Sequence, residues 1–328
     1  MEKSKVSIFW FRRDLRIHDN RGLTAALNGD FRVFPLFICD SDILEDLPKD
    51  DARLNFIHQS LEKIHHKLQN MGSGLLCKHG QVVEIWKELL REYDVQQVFT
   101  NEDYEPYATK RDQAVASVLS ESGIDFSLWK DQVIFAKDEI LKGDGKPYTV
   151  FTPYKNRWLA NFDQTLIQEE VPKKANNFYQ FKVHFPSIEE IGFKQSSIKV
   201  RDYTLEFLAE YDEVRNFPAM DKGSYLSVHL RFGTVSVRQM VKRALPHTSF
   251  LNELIWREFF MQILYHFPQA VEHNFKRKYD QVPWRNDKEE FEKWKAGQTG
   301  YPMVDAGMRE LNQSGYMSNR VRMVAASF

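Results

Sequence analysis

Glu253, Trp256, Arg257 and Phe260 fall at i, i+3, i+4 and i+7 within the run Phe250-Leu-Asn-Glu-Leu-Ile-Trp-Arg-Glu-Phe-Phe260. On a helix, that spacing points an acid, an indole, a guanidinium and a phenyl ring in one direction. Such a row suits the wall of a cavity that takes a flat, polar, partly anionic partner. Leu251, Ile255, Phe259 and Ile263 recur every fourth residue on another face and give the helix a stripe to bury. The bland alternative is an amphipathic helix with a surface Glu–Arg pair and a half-buried Trp, since ion pairs at this spacing are common and weak. The segment alone leaves both readings open.

The elements that must position this helix read clearly upstream. Val6–Phe11, Arg32–Cys39, Leu75–Lys78, Val95–Thr100 and Asp125–Trp129 are short apolar runs of the buried-strand type. Helical patterns separate them. One starts near Arg21. The next carries Leu54, Ile57, Leu61, Ile64, Leu68 and Met71 with Gly72 as its stop, and others run through Val82–Leu90 and Pro106–Ser122. Strand–helix alternation with short turns predicts a doubly wound α/β domain with a parallel sheet over residues 1–130. No Gly-x-Gly-x-x-Gly follows the first strand, so a dinucleotide bound there in the usual way is not expected. Residues 131–200 lose the pattern. They hold turn chemistry at Gly143-Asp-Gly-Lys-Pro147, a helix through Trp158, and then scattered charge, Pro and Phe, which together read as a connector packed against both halves. Residues 201–328 give only helical signals, including a capping box at Ser236–Gln239 and Pro302 opening a helix.

Composition bounds the partners. The chain has 328 residues, 42% hydrophobic and 28% charged, with a net charge of −1. Charge is uneven, however. Residues 1–200 carry 27 Lys and Arg against 30 Asp and Glu, whereas 215–285 carry 11 against 5. A local surplus of this kind serves a groove that follows phosphates. Cys39 and Cys77 alone make neither a disulfide framework nor a Cys-rich metal site, and no metal site is expected. No apolar run approaches a membrane span, so a cytoplasmic protein without a membrane partner is expected, as a monomer.

Five stretches, in order along the chain, resemble the photolyase/cryptochrome family. They are Trp10-Phe-Arg-Arg-Asp-Leu-Arg-Ile-His-Asp-Asn20, Pro147-Tyr-x-Val-Phe-Thr-Pro-Tyr154, Glu253-Leu-Ile-Trp-Arg-Glu-Phe259, Thr299-Gly-Tyr-Pro-Met-Val-Asp305 and Met317-Ser-Asn-Arg-Val-Arg-Met323. The resemblance implies an N-terminal antenna domain and a helical domain holding FAD. It assigns Tyr211, Gly223, Ser224, Tyr225, Leu226, Ser227, Phe250, Arg257 and Arg322 to the cofactor. Within that set, Gly223–Ser227 matches the diphosphate-cradling turn, and Arg257 is a fork-shaped donor toward the phosphates. Ser224 could equally just cap the following helix.

The partner implied is UV-damaged DNA, contacted through Arg215, Glu253, Trp256, Asn319, Arg320 and Met323. Glu253 and Trp256 are the implied catalytic pair, one hydrogen-bonding a dimer carbonyl and the other stacking on a flipped lesion. The reaction implied is light-driven repair of cyclobutane pyrimidine dimers by excited reduced flavin. Trp256 and Met323 resemble the dimer photolyases, while Ser318 resembles one cryptochrome branch, so a photoreceptor without repair activity is the alternative. A nucleotide-binding module built on the α/β domain alone leaves every motif after Pro147 unexplained. Tyr107, Ala108 and Glu272 depart from the family's folate pattern, and a second antenna chromophore of folate or deazaflavin type stays unassigned.

Val321–Phe328 stops inside a helical pattern with no capping signal. In the family a helical stretch follows, with a segment facing the flavin, an acidic partner for Arg322 and two inner tryptophans of an electron-transfer chain. Trp284 matches the outermost of those three. The expectation is a C-terminally truncated chain with an incomplete helical domain and a partly open FAD pocket.

Overall fold

The computed structural model describes residues 3–328. Strands β1 (Lys5–Phe11), β2 (Arg32–Asp40), β3 (Leu76–Gly80), β4 (Asp94–Asn101) and β5 (Asp125–Trp129) form one five-stranded sheet in the order β3-β2-β1-β4-β5. Every pairing is parallel. Between the strands run α1 (Arg21–Asn28), α2 (Ser41–Leu44), α3 (Ala52–Gln69), α4 (Val82–Glu92) and α5 (Pro106–Glu121). Side chains on β1 alternate between faces. Val6, Ile8 and Trp10 pack with Ile85, Trp86 and Leu89 of α4 and Val115 and Leu119 of α5. Phe9 and Phe11 pack with Leu23 and Leu27 of α1 and Leu61, Ile64 and Leu68 of α3. A parallel sheet so covered on both faces explains why its strands read as apolar runs.

The pattern-derived boundaries hold to within a residue or two, with one local correction. Met71 keeps the periodicity of α3 but lies in the turn beyond it, with Gly72 in the left-handed region at φ 78°.

Past β5 the chain becomes helical, with α6 (Phe151–Asn161), α7 (Tyr211–Val214), α8 (Leu226–Phe232), α9 (Val237–Ala244), α10 (Thr248–His266), α11 (Lys288–Ala296), α12 (Pro302–Ser314) and α13 (Asn319–Ser327). Tyr154 and Trp158 of α6 share a core with residues of α8, α9 and α10. The stretch between α6 and α7 runs back along the sheet. There Asn177 and Tyr179 exchange backbone hydrogen bonds with Val33 at 2.8 Å each, so Phe178 pairs with the start of β2 and is fully buried. Asn177 also donates to the carbonyls of Leu27 at 3.0 Å and Phe31 at 3.1 Å. Its aromatics make this segment a strap over the sheet. Asn177→Ala should cost about 1–2 kcal/mol in a urea titration, because two carbonyls lose their donor. No measurable change would mean that the backbone bridge alone carries the strap.

The two halves interlock at the end of β1. The Leu15 N–H donates to Phe232 O at 3.0 Å, and Gly233 ends α8 at φ 63°. A Cβ at Gly233 would collide with the Arg13 carbonyl, so this close approach requires glycine. Ser236 caps α9 by accepting from Gln239 N at 3.3 Å; of the expected capping box, this half forms.

Candidate functional site

Helix α10 buries Leu251, Leu254, Ile255 and Phe259, which turns Glu253 and Trp256 to a half-buried face and leaves Phe260 60% exposed. Glu253 pairs with Arg215, just past α7, at 3.2 Å. The Arg215 guanidinium also lies over the Tyr211 ring at 5.7 Å, and Tyr211 meets Phe250 edge-on at 5.2 Å. Burial pushes the Glu253 carboxyl above its ordinary value, and the charges of Arg215 and Arg320 pull against that rise. Tyr211 is raised to about 12, by burial first and then by the Glu253 charge. Arg215 thus reaches Glu253 from a distant stretch of the chain, with the Tyr211 ring beside it.

Trp256 lies flat against Phe151, the first residue of α6, with ring centroids 3.7 Å apart and an interplanar angle of 7°. Phe259 meets it edge-on at 5.6 Å, and Phe260 runs nearly parallel to it at 5.4 Å. Arg257 departs from the row expected of it. Its guanidinium turns inward to donate to Gln132 O at 2.8 Å and Leu230 O at 3.2 Å. Burial lowers it to about 10, with Glu258 opposing the shift. Arg257 thereby joins the loop after β5 to α8. Helical spacing fixes where Cβ points, not where a long side chain ends.

The turn Gly223–Ser227 leads into α8. Tyr225, the N-cap residue, takes a left-handed backbone at φ 51°, and Ser224 Oγ accepts from Leu226 N at 3.4 Å within the turn. Arg201 donates to the Tyr225 hydroxyl at 2.6 Å and stacks over its ring at 4.8 Å, while that hydroxyl bonds to Asp221. Tyr316 packs on Tyr225 at 4.6 Å, and its hydroxyl lies 3.1 Å from where a Cβ on Gly223 would sit. Any larger residue at 223 would crowd that ring. The donors here suit a diphosphate, since the first N–H groups of α8 lack helical partners and the Ser227 hydroxyl is exposed. The rings of Tyr211 and Phe250 suit a flat heterocycle. On this donor set the residues present fit FAD.

The remaining sequence-derived residues sit at the rim. Asn319, Arg320, Arg322 and Met323 are exposed on α13, with Met323 at 56%. Among the described residues Arg322 pairs with no carboxylate, although its charge reaches Tyr316. Trp284 is 68% exposed and lines an open hollow of about 630 Å³ with Phe291, Trp294 and Phe328. Tyr107 donates to Asp40 at 2.7 Å, Ala108 is buried and Glu272 is exposed. Sequence reasoning missed Phe151, Tyr316, Arg201 and Glu258, whose partners lie far away in the chain.

Comparison with known proteins bears on this arrangement. Residues 7–175 match the family model described as DNA photolyase, and residues 250–328 match the FAD binding domain of DNA photolyase. The chain is 33% identical to the deoxyribodipyrimidine photo-lyase of Synechococcus sp., over 98% of this chain and 73% of that protein. This chain belongs to the DNA photolyase family. A class III photolyase from Agrobacterium tumefaciens superimposes with a TM-score of 0.86 at 30% identity, over all of this chain and 73% of that one. A photolyase from Sulfolobus tokodaii, solved with two FAD molecules, gives a TM-score of 0.82 at 30% identity, over 98% of this chain and 73% of its own. The architecture expected of a photolyase, a doubly wound α/β half followed by a helical FAD-binding half, is the one observed.

Proposed function

We propose that this photolyase repairs cyclobutane pyrimidine dimers in DNA, using light and FAD. The observation that carries the reading is the Arg215–Glu253 pair at 3.2 Å, one helical turn from Trp256. The proposed division is an antenna domain over 1–130, a connector over 131–200 and a FAD- and DNA-binding domain over 201–328. When bound, reduced FAD supplies on excitation the electron that opens the cyclobutane ring, and it recovers that electron afterwards.

Each protein side chain has work of its own. Tyr211, Phe250, Gly223, Ser224, Tyr225, Leu226, Ser227, Arg257 and Arg322 hold the cofactor. Arg215 and Arg320 meet backbone phosphates, which set position and not sequence, and Asn319 is a further DNA contact. A dimer stacks poorly, so flipping it out costs less than flipping a sound base pair. Trp256 then offers it a stacking surface, and Met323 is a further DNA contact. Glu253 can hydrogen-bond a dimer carbonyl and stabilise the charge that develops there.

The Sulfolobus protein's second FAD was taken as a light-harvesting cofactor; here a second chromophore is left unassigned. No helix among the described residues is long and apolar enough to cross a membrane. A cytoplasmic monomer is the proposed state.

Glu253→Ala tests the assignment. Dimer repair under blue light should fall by about tenfold or more, while flavin retention in the absorption spectrum stays close to wild type. An unchanged yield would remove Glu253 from the mechanism. Flavin bound by the wild-type chain without any repair would mark a photoreceptor instead.

A further inference from the structure

Trp256 does not stand alone in the proposed lesion site. Phe151 comes from the other side of the shared core, more than 100 positions earlier in the chain, and lies against the indole at 3.7 Å and 7°. That is the closest and flattest aromatic contact of the α6–α10 junction. Phe151 is fixed in turn by an edge-on contact to Phe259 at 5.9 Å, and Phe259 is 4% exposed. Phe260, the other nearly parallel neighbour of Trp256, is 60% exposed. The indole is thus stacked on an anchored ring, with the solvent-facing Phe260 as a more distant neighbour.

We propose that Phe151 is a positioning residue for lesion recognition, holding the Trp256 indole in the plane in which a flipped dimer stacks. The proposal rests on the reading of Trp256 as the stacking surface. An indole with rotamer freedom must lose it when a base stacks on it, and that loss weakens binding. An indole already stacked on Phe151 has lost the freedom during folding. A backed indole also offers a lesion one face only, which narrows the bound poses. Phosphate contacts through Arg215 and Arg320 do not pass through this stack, so binding to undamaged DNA should not depend on it.

The test is lesion discrimination in the dark. Dissociation constants for a thymine-dimer duplex and for the same duplex undamaged are measured by fluorescence anisotropy on wild type, Phe151→Leu and Phe151→Tyr. Leucine keeps the apolar fill and removes the flat contact, whereas tyrosine keeps both. The expected result is a loss of discrimination of roughly 3- to 10-fold in Phe151→Leu, the range for one freed rotamer-rich side chain, with wild-type discrimination in Phe151→Tyr. A partly unfolded variant weakens both constants equally, so their ratio still reports on the stack.

A Phe151→Leu ratio equal to wild type would overturn the proposal. So would an equal loss in Phe151→Tyr, because the flat contact would then not be the cause. A wild-type ratio of one would instead remove the stacking-surface reading beneath it.

Discussion

Glu258→Ala should cost this photolyase about 3–5 kcal/mol at pH 5, the combined loss from a cavity and from orphaned donors. Glu258 is 2% exposed, on the buried face of α10. It accepts from Ile134 N at 2.7 Å, Phe135 N at 3.0 Å, Trp158 Nε1 at 2.6 Å and Tyr154 Oη at 3.4 Å. One side chain thereby fixes the loop after β5, helix α6 and the helix that carries Glu253 and Trp256.

Burial dominates its ionisation. It pushes the carboxyl from 4.5 up to about 7, against the pull of these donors and of Arg257. The native state then prefers the protonated acid. Stability linked to that proton is complete below pH 4.5 and is lost as pH rises through about 7. The stability gap between wild type and Glu258→Ala, read from urea titrations, should therefore narrow from pH 5 to pH 8. The shift bounds the narrowing at roughly 3 kcal/mol, at 1.36 kcal/mol per pH unit. Every other titrating group is common to both proteins and cancels. A gap that widens with pH would show the carboxylate ionised throughout, with the four donors outweighing desolvation.

The case of Glu258 also shows where the sequence stops speaking. Ile255, Phe259 and Leu251 announce a buried stripe, and an acid at i+3 from Ile255 interrupts it. That interruption was the available signal. Nothing local says that its partners are Ile134, Phe135 and Trp158, because those donors arrive only when the chain closes on itself. Arg257 shows the opposite limit. Its spacing from Glu253 is right, but a side chain that long chooses its carbonyls in three dimensions, while Glu253 takes Arg215 instead.

The sheet suffered no such ambiguity. Strand runs are set by local burial on both faces, and the turn after α3 is set by Gly72. Gly223–Ser227 was visible as a turn, but Tyr316, which closes over it, lies about 90 residues away and carries no local mark. Residues whose role depends on one helix were legible. Those whose role depends on two distant segments were not.

Arg238→Met should be about as damaging, costing roughly 3–5 kcal/mol, as when one member of a buried ion cluster is removed. Arg238, on α9, is 1% exposed. Its Nε donates to Asp19 Oδ1 at 3.0 Å, and its Nη2 donates to Asp19 O at 2.5 Å and to Asp131 Oδ1 at 3.0 Å. Arg16 holds the same Asp131 at 2.7 Å. Burial alone would raise Asp131, yet Arg16 and Arg238 together keep it below the ordinary carboxylate value. Asp19 further accepts from Glu170 N at 2.8 Å and from the Ser236 hydroxyl. The loop after β1, the loop after β5, the strap and α9 therefore meet at one cation.

Methionine fills similar volume, so the loss measures charge more than packing. Asp131 would keep Arg16, but Asp19 would be left as a buried anion with neutral donors only. Replacing that anion as well, in Asp19→Asn with Arg238→Met, should restore part of the loss, and a double-mutant cycle in urea reads the coupling. Additive losses would mean that Arg238 acts through packing against Asp19 and not through its charge. Strong coupling would show that the Arg-Arg-Asp-Leu-Arg-Ile-His-Asp-Asn stretch at residues 12–20 serves to lock the α/β half onto the helical half.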